Sequence, residues 1–130
     1  MSFIEVPLAD AKEKTIQPEG GYELVIKKAD IHKKEGTNSQ SIRFIIGFDG
    51  VAEGADIFHY QGLPGPDDDD EKKNNKLVMM NQFLDRFSVP REGNGFATED
   101  CLGARGRVFV AQEEDNNGTM RNVLKMGKKV

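Results

Sequence analysis

Ser41-Ile42-Arg43-Phe44-Ile45-Ile46-Gly47-Phe48 alternates with a period of two. Ile42, Phe44, Ile46 and Phe48 fall on one face, and Ser41, Arg43, Ile45 and Gly47 on the other. This is the pattern of a strand with one buried face. Asp49-Gly50 follows at once as a tight-turn signal. The polar residues 33–40, with Gly36, Asn38 and Ser39, precede it as a loop. Further upstream, Tyr22, Leu24 and Ile26 alternate with Glu23, Val25 and Lys27. That mixed second set predicts a strand over residues 22–31 packed partly on both sides. Pro18-Glu19-Gly20-Gly21 is a turn signal, and Pro7 and Pro18 make the first twenty residues an extended lead-in.

Downstream, residues 55–63 contain Ile57, Phe58, His59 and Tyr60 and read as a third strand, with either face available for burial. Leu63-Pro64-Gly65-Pro66 ends it. From about residue 68 to residue 87 there is no proline or glycine. Leu77, Met80, Leu84 and Phe87 recur at helical spacing, with Met79 and Phe83 widening the stripe. Acids crowd the start and Arg86 sits near the end, as the helix dipole favours, and Pro90 stops the helix. Residues 104–113 and 119–126 are two more strands, joined by Asp115-Asn116-Asn117-Gly118, whose Asn-Gly is a hairpin signal. The order β-β-β-α-β-β gives a mainly β fold with one α-helix. It is the layout of a five-stranded Greek-key OB-fold barrel, with a generic α+β sheet as the rival. One domain is expected over residues 1–130, with 1–20 as the lead-in and 64–76 as an acidic flexible loop.

Composition narrows the class. The 130 residues are 37% hydrophobic and 31% charged, which argues against a wholly disordered chain. No stretch approaches the ~20 apolar residues of a membrane-spanning helix. The single cysteine, Cys101, excludes an internal disulfide framework and a cysteine-rich zinc site. No apolar signal core opens the chain, so a reducing, cytoplasmic setting is the expectation. The net charge of −4 is unevenly spread: Asp67–Glu71 carries −5 and the remaining residues +1. Residues 103–130 hold six bases (Arg105, Arg107, Arg121, Lys125, Lys128, Lys129) against three acids. A local basic groove beside an acidic flank is compatible with that balance.

No Ser-His-Asp or Cys-His spacing, phosphate-cradling glycine loop or HExxH motif is present, so no enzymatic activity, catalytic residue, metal or cofactor is expected. His32 and His59 read as structural or solvated. Cys101 lies beside Glu99 and Asp100, which raise a thiol pKa rather than activate it. The acidic run lacks the spacing of a calcium loop and reads as a solvated loop and helix N-terminus. Five acids exceed what a helix dipole needs, which leaves a third reading, a mobile acidic arm folding over a basic groove.

The fourth strand carries the clearest functional signal. In Gly103-Ala104-Arg105-Gly106-Arg107-Val108-Phe109-Val110, Val108 and Val110, with Ala104 and Gly106, fit a core face. Arg105, Arg107 and Phe109 project the other way. Guanidinium groups meet phosphates, and a ring gives a base a flat apolar partner. The competing reading makes Phe109 core and the arginines a solvated edge. Arg43, Tyr60 or Phe58, Lys33 and Lys34, and Arg121 with Lys125 extend the same surface, on the elements that line an OB-fold groove.

Gly21-Tyr22-Glu23-Leu24-Val25-Ile26, a polar loop, the strand over 42–48, a helix, Leu102-Gly103 with an alternating strand, and Asn117-Gly118 together resemble small bacteriophage single-stranded DNA-binding proteins. Those proteins are encoded among replication and recombination genes. The likeness runs over residues 18–126. It implies an OB-fold and sequence-tolerant binding that protects single strands in phage DNA replication or recombination, in the host cytoplasm. The implied partners are single-stranded DNA (or RNA) and phage replication or recombination proteins; a second copy, as a homodimer, is a further candidate that the sequence leaves open. The chain departs from the pattern by ending Lys125-Met126-Gly127-Lys128-Lys129-Val130, with no acidic tail. The alternative function is a protein-interaction or DNA-mimic regulatory module that engages a host enzyme through the acidic run.

Overall fold

The structure, a computed structural model, describes residues 2–36 and 39–127. Lys128, Lys129 and Val130, part of the basic C-terminal section, lie outside the described residues, as does Asn38 of the first loop. The elements run β1 (Gly20–Lys33), β2 (Gln40–Phe48), β3 (Ile57–Gly62), α1 (Asp70–Arg86), β4 (Arg105–Glu114) and β5 (Met120–Lys125). This is the expected order. The five strands form one antiparallel sheet in the order β3-β2-β1-β4-β5.

β1 is the hub. Gly20–Val25 pairs with β4, and residues from Leu24 to Lys33 pair with β2. The β2 register shifts between Ile26 and Lys28, and a bulge of this kind bends a strand and increases its twist. The outer strands β3 and β5 come into contact. No backbone ladder joins them among the described residues, so the sheet coils without closing into a barrel.

The period of two seen in the sequence builds the core. Leu24 and Ile26, Ile42, Phe44 and Ile46, Val108 and Val110, and Leu124 all point to one side of the sheet and are buried. On β3 the inward residues are Ile57, His59 and Gln61, opposite Ile46, Phe44 and Ile42. Phe58 and Tyr60 therefore face outward.

α1 covers this core at one end. The Asp69 carboxylate caps it by accepting the Lys72 N–H at 2.8 Å, while Asp70, Glu71 and Arg86 complement the dipole. Met80, Phe83, Leu84 and Phe87 are buried. Phe83 lies 4.2 Å from Phe44, 4.8 Å from Phe87 and 5.1 Å, ring over ring, from His59. Two expectations are corrected here. Leu77 and Met79 are half-exposed rather than part of the buried stripe, because only the C-terminal half of α1 rests on the sheet. Residues 70–76 are helical rather than loop, because the Asp69 cap starts the helix and no breaker follows.

The helix end fits β4 only because residue 106 is glycine. A Cβ at Gly106 would stand 2.1 Å from the Arg86 carbonyl oxygen and 3.2 Å from Phe87 Cα. The Arg86 guanidinium also donates to the Met126 carbonyl at 2.8 Å. At the opposite side the lead-in is tied down before β1. Thr15 bridges Gly54. The buried Asn122 side chain accepts the Gln17 N–H at 2.8 Å and donates to the Gln17 carbonyl at 2.9 Å. Among the described residues no helix is long and apolar enough to cross a membrane.

Candidate nucleic-acid interface

Seven of the nine residues expected to bind nucleic acid project from the sheet face turned away from the core: Arg43, Tyr60, Arg105, Arg107, Phe109, Arg121 and Lys125. Strand alternation puts them there, since each is one residue from a neighbour that faces the core. Lys33 ends β1 and Lys34 starts the following loop, where the Lys34 N–H donates to the Ser39 carbonyl at 3.1 Å. Both lysines are exposed.

The outward face divides into two patches. On β2 and β3, Tyr60 is directly opposite Arg43, which is opposite Asp30. In the next row Phe58 is opposite Ile45, which is opposite Lys28. Phe58 and Tyr60 are 54% and 50% exposed. His32 meets Tyr60 edge-on at 5.5 Å. On β4 and β5, Arg107 is opposite Glu23, Arg105 opposite Val25, and Phe109 lies between Gly21 and Lys125. Val108 and Val110 are in the core as expected, and Phe109 is outside it but only partly exposed. The outward row of β1 separates the two patches.

Most cations of this face have acidic partners. Arg105 pairs with Asp49 at 3.0 Å, Arg107 with Glu23 at 3.6 Å and Lys125 with Glu113 at 2.6 Å. The Lys125 hydrogen bond, with its charge and that of Arg121, holds the Glu113 carboxyl below the ordinary range. Arg43 is only partly satisfied. Its one ion pair, to Asp30, spans 3.5 Å, and its Nε is buried without a hydrogen-bond partner.

The acidic run does not behave as one unit. Asp68 is pinned by the Lys76 ammonium at 2.7 Å and the Gly65 N–H at 2.8 Å, which hold its pKa low. Asp69 is the helix cap and Asp70 and Glu71 occupy the first turn. Among the described residues no group of three or more His, Cys, Asp or Glu side chains is placed to hold a metal ion. His59 is packed among rings, with its Nε2 3.1 Å from Gln61 Oε1. Burial lowers its pKa, against a smaller opposing effect of that hydrogen bond. Burial, then the Asp100 charge, pushes the Cys101 thiol up to about 11.

Sequence reasoning left Phe58 undecided and read His32 as structural or solvated, without placing it beside Tyr60. Alternation along 57–62 would have placed Phe58 with Tyr60, but only once the inward side of β3 was known. No protein-family model matches the chain, and neither does any curated protein sequence.

Proposed function

We propose that this chain is a non-enzymatic OB-fold protein that binds single-stranded DNA with little sequence preference, across the outward face of β2 and β3. The observation that carries the reading is the pair Phe58 and Tyr60. They are half-exposed rings two residues apart on one strand, with Arg43 directly opposite Tyr60 and Lys28 one strand further on, across Ile45. Residues i and i+2 of a strand stand ~7 Å apart, about twice the ~3.4 Å rise of a stacked nucleic-acid strand. Each ring can therefore take one base from a strand drawn out of its helical stack, and stacking tolerates any base. A duplex offers no such free base faces.

The fold supports the same assignment. A long, bulged β1 pairs with β2 along one half and β4 along the other, the outer strands meet, and the only long helix among the described residues joins β3 to β4. These features support reading the sheet as a partly open Greek-key barrel, a fold whose strand 2–3 face takes oligonucleotides. Protection of single strands during phage DNA replication or recombination is the role that goes with this reading, on the strength of the sequence resemblance.

Fluorescence anisotropy with labelled oligo(dT) and a duplex of equal length tests it. The single strand should bind more tightly, and affinity should fall between about 50 and 200 mM salt as released counterions oppose binding. Equal affinity for duplex, or no binding at low salt, removes the proposal.

A further inference from the structure

Two apolar surfaces of this chain match each other. The first is the segment before β1: Phe3, Ile4 and Leu8 are 91%, 76% and 76% exposed, and Val6 is about half exposed. The second is a groove of about 590 Å3 at the end of the sheet, where Ile31 and Ile42 meet Leu77, Met80 and Leu84 of α1 and Phe96 of the following loop.

We propose that the Phe3–Leu8 arm of one copy lies in this groove of a second copy, reciprocally, to form a two-fold dimer. The two cations of the groove lining are already paired, Lys76 with Asp68 at 2.7 Å and Arg91 with Asp85 at 3.0 Å, so the match between arm and groove is apolar. Size favours that occupant. Burying a Val, Leu, Ile or Phe side chain removes roughly 60–120 Å2 from water on the usual transfer scale. Eight arm side chains, with the groove surface they cover, then reach about 1,000–2,000 Å2, the range of a specific interface.

Geometry favours a second copy over the chain's own arm. The arm leaves the sheet at Thr15, bridged to Gly54 beyond the Phe48 end of β2. The groove sits at the Ile42 end, about 20 Å away along the strand. Residues 9–14 reach only about 20 Å fully extended, and Leu8–Asp10 is already wound into a 3-10 turn. The groove of a neighbouring copy imposes no such stretch, and exchange of a terminal segment is a low-cost route to closed dimers.

Sedimentation velocity across the micromolar range is the test, on the wild-type chain, on Phe3→Asp with Ile4→Asp, and on Leu77→Asp. All three altered positions are at least half exposed, so circular dichroism should show an unchanged fold. The wild type should sediment as a dimer, and each variant should dimerise at least tenfold more weakly. A wild type that stays monomeric, or a dimer that survives in either variant, overturns the proposal. Neither result touches the DNA-binding reading, which uses the opposite face of the sheet.

Discussion

Phe58→Ala and Tyr60→Ala separate a stacking surface from an ordinary exposed edge. If each ring carries one base, each truncation should weaken oligo(dT) binding about 5- to 150-fold, the equivalent of ~1–3 kcal/mol per stacked base. The stability cost should be smaller. The rings are already 54% and 50% exposed, so truncation forfeits about half of the ~1.5–3 kcal/mol that full burial of such a ring provides. Tyr60 also loses its edge contact with His32. Each variant should therefore melt about 1 kcal/mol less stable while losing more than that in binding. Phe109→Ala is the comparison. Its ring is more enclosed, between Gly21 and Lys125, so its loss should appear first in the melting temperature. Anisotropy titrations run well below each variant's melting point, paired with thermal unfolding, give both numbers. Wild-type affinity in Phe58→Ala and Tyr60→Ala would refute the argument. Lost affinity with unchanged melting in Phe109→Ala would move the site to β4.

Burial holds His59 neutral, so its contribution to stability is complete above the unfolded pKa of 6.5 and declines as pH falls below that value. The slope is at most about 1.4 kcal/mol per pH unit, and denaturant titrations between pH 7 and 5 should show it flattened in His59→Gln. The carboxyls with depressed pKa values, Asp68, Glu113 and Asp115, act in a separate window, their contribution being lost as pH falls below about 4.5. Gly106→Ala should lower stability by about 1–3 kcal/mol, because the clash is with helix backbone that cannot swing aside; an unchanged melting temperature would show that the helix end is not seated on β4. Asp69→Ala should cost about 1 kcal/mol through the lost cap and Asp69→Ser much less, while Asp67→Asn should leave unfolding unchanged, a contrast that equal effects at both positions would contradict.

The strands were legible because their inward residues repeat with a period of two and the intervening turns carry Gly, Asn and Pro. The helix was legible because nothing between Asp70 and Arg86 breaks it. What stayed hidden depends on contacts distant in sequence. Nothing local says that the first half of α1 overhangs the sheet, so Leu77 looked like core. The clasp between Asn122 and Gln17 joins residues far apart in the chain and has no composition signal. The face of β3 was undecided because two of its inward residues, the half-buried His59 and the buried Gln61, are polar. They are acceptable there because they hydrogen-bond each other and His59 stacks on Phe83. The acidic run looked excessive because the pairing of Asp68 with Lys76 and the capping by Asp69 become visible only when the helix start is known.

The ion pairs on the outward face decide how such a surface would recognise a strand. Six cations there, Lys28, Arg43, Arg105, Arg107, Arg121 and Lys125, share the face with Glu23, Asp30, Glu113 and the adjacent Asp49. Exposed pairs of this kind are worth ~0–1 kcal/mol each, so exchanging a carboxylate for a phosphate costs little. The displaced carboxylate stays nearby, however, and repels the phosphate that replaced it. The charge gain per contact is therefore smaller than a bare count of arginines suggests, and fewer counterions are released. Arg43 differs because its Nε is buried without a hydrogen-bond partner and the residue stands directly opposite Tyr60 on the neighbouring strand. A phosphate there would gain a donor group next to the ring that holds its base. On the proposed reading, stacking on Phe58 and Tyr60 would then be the main source of affinity, with Arg43 setting the backbone in register and the paired cations of β4 and β5 extending the track.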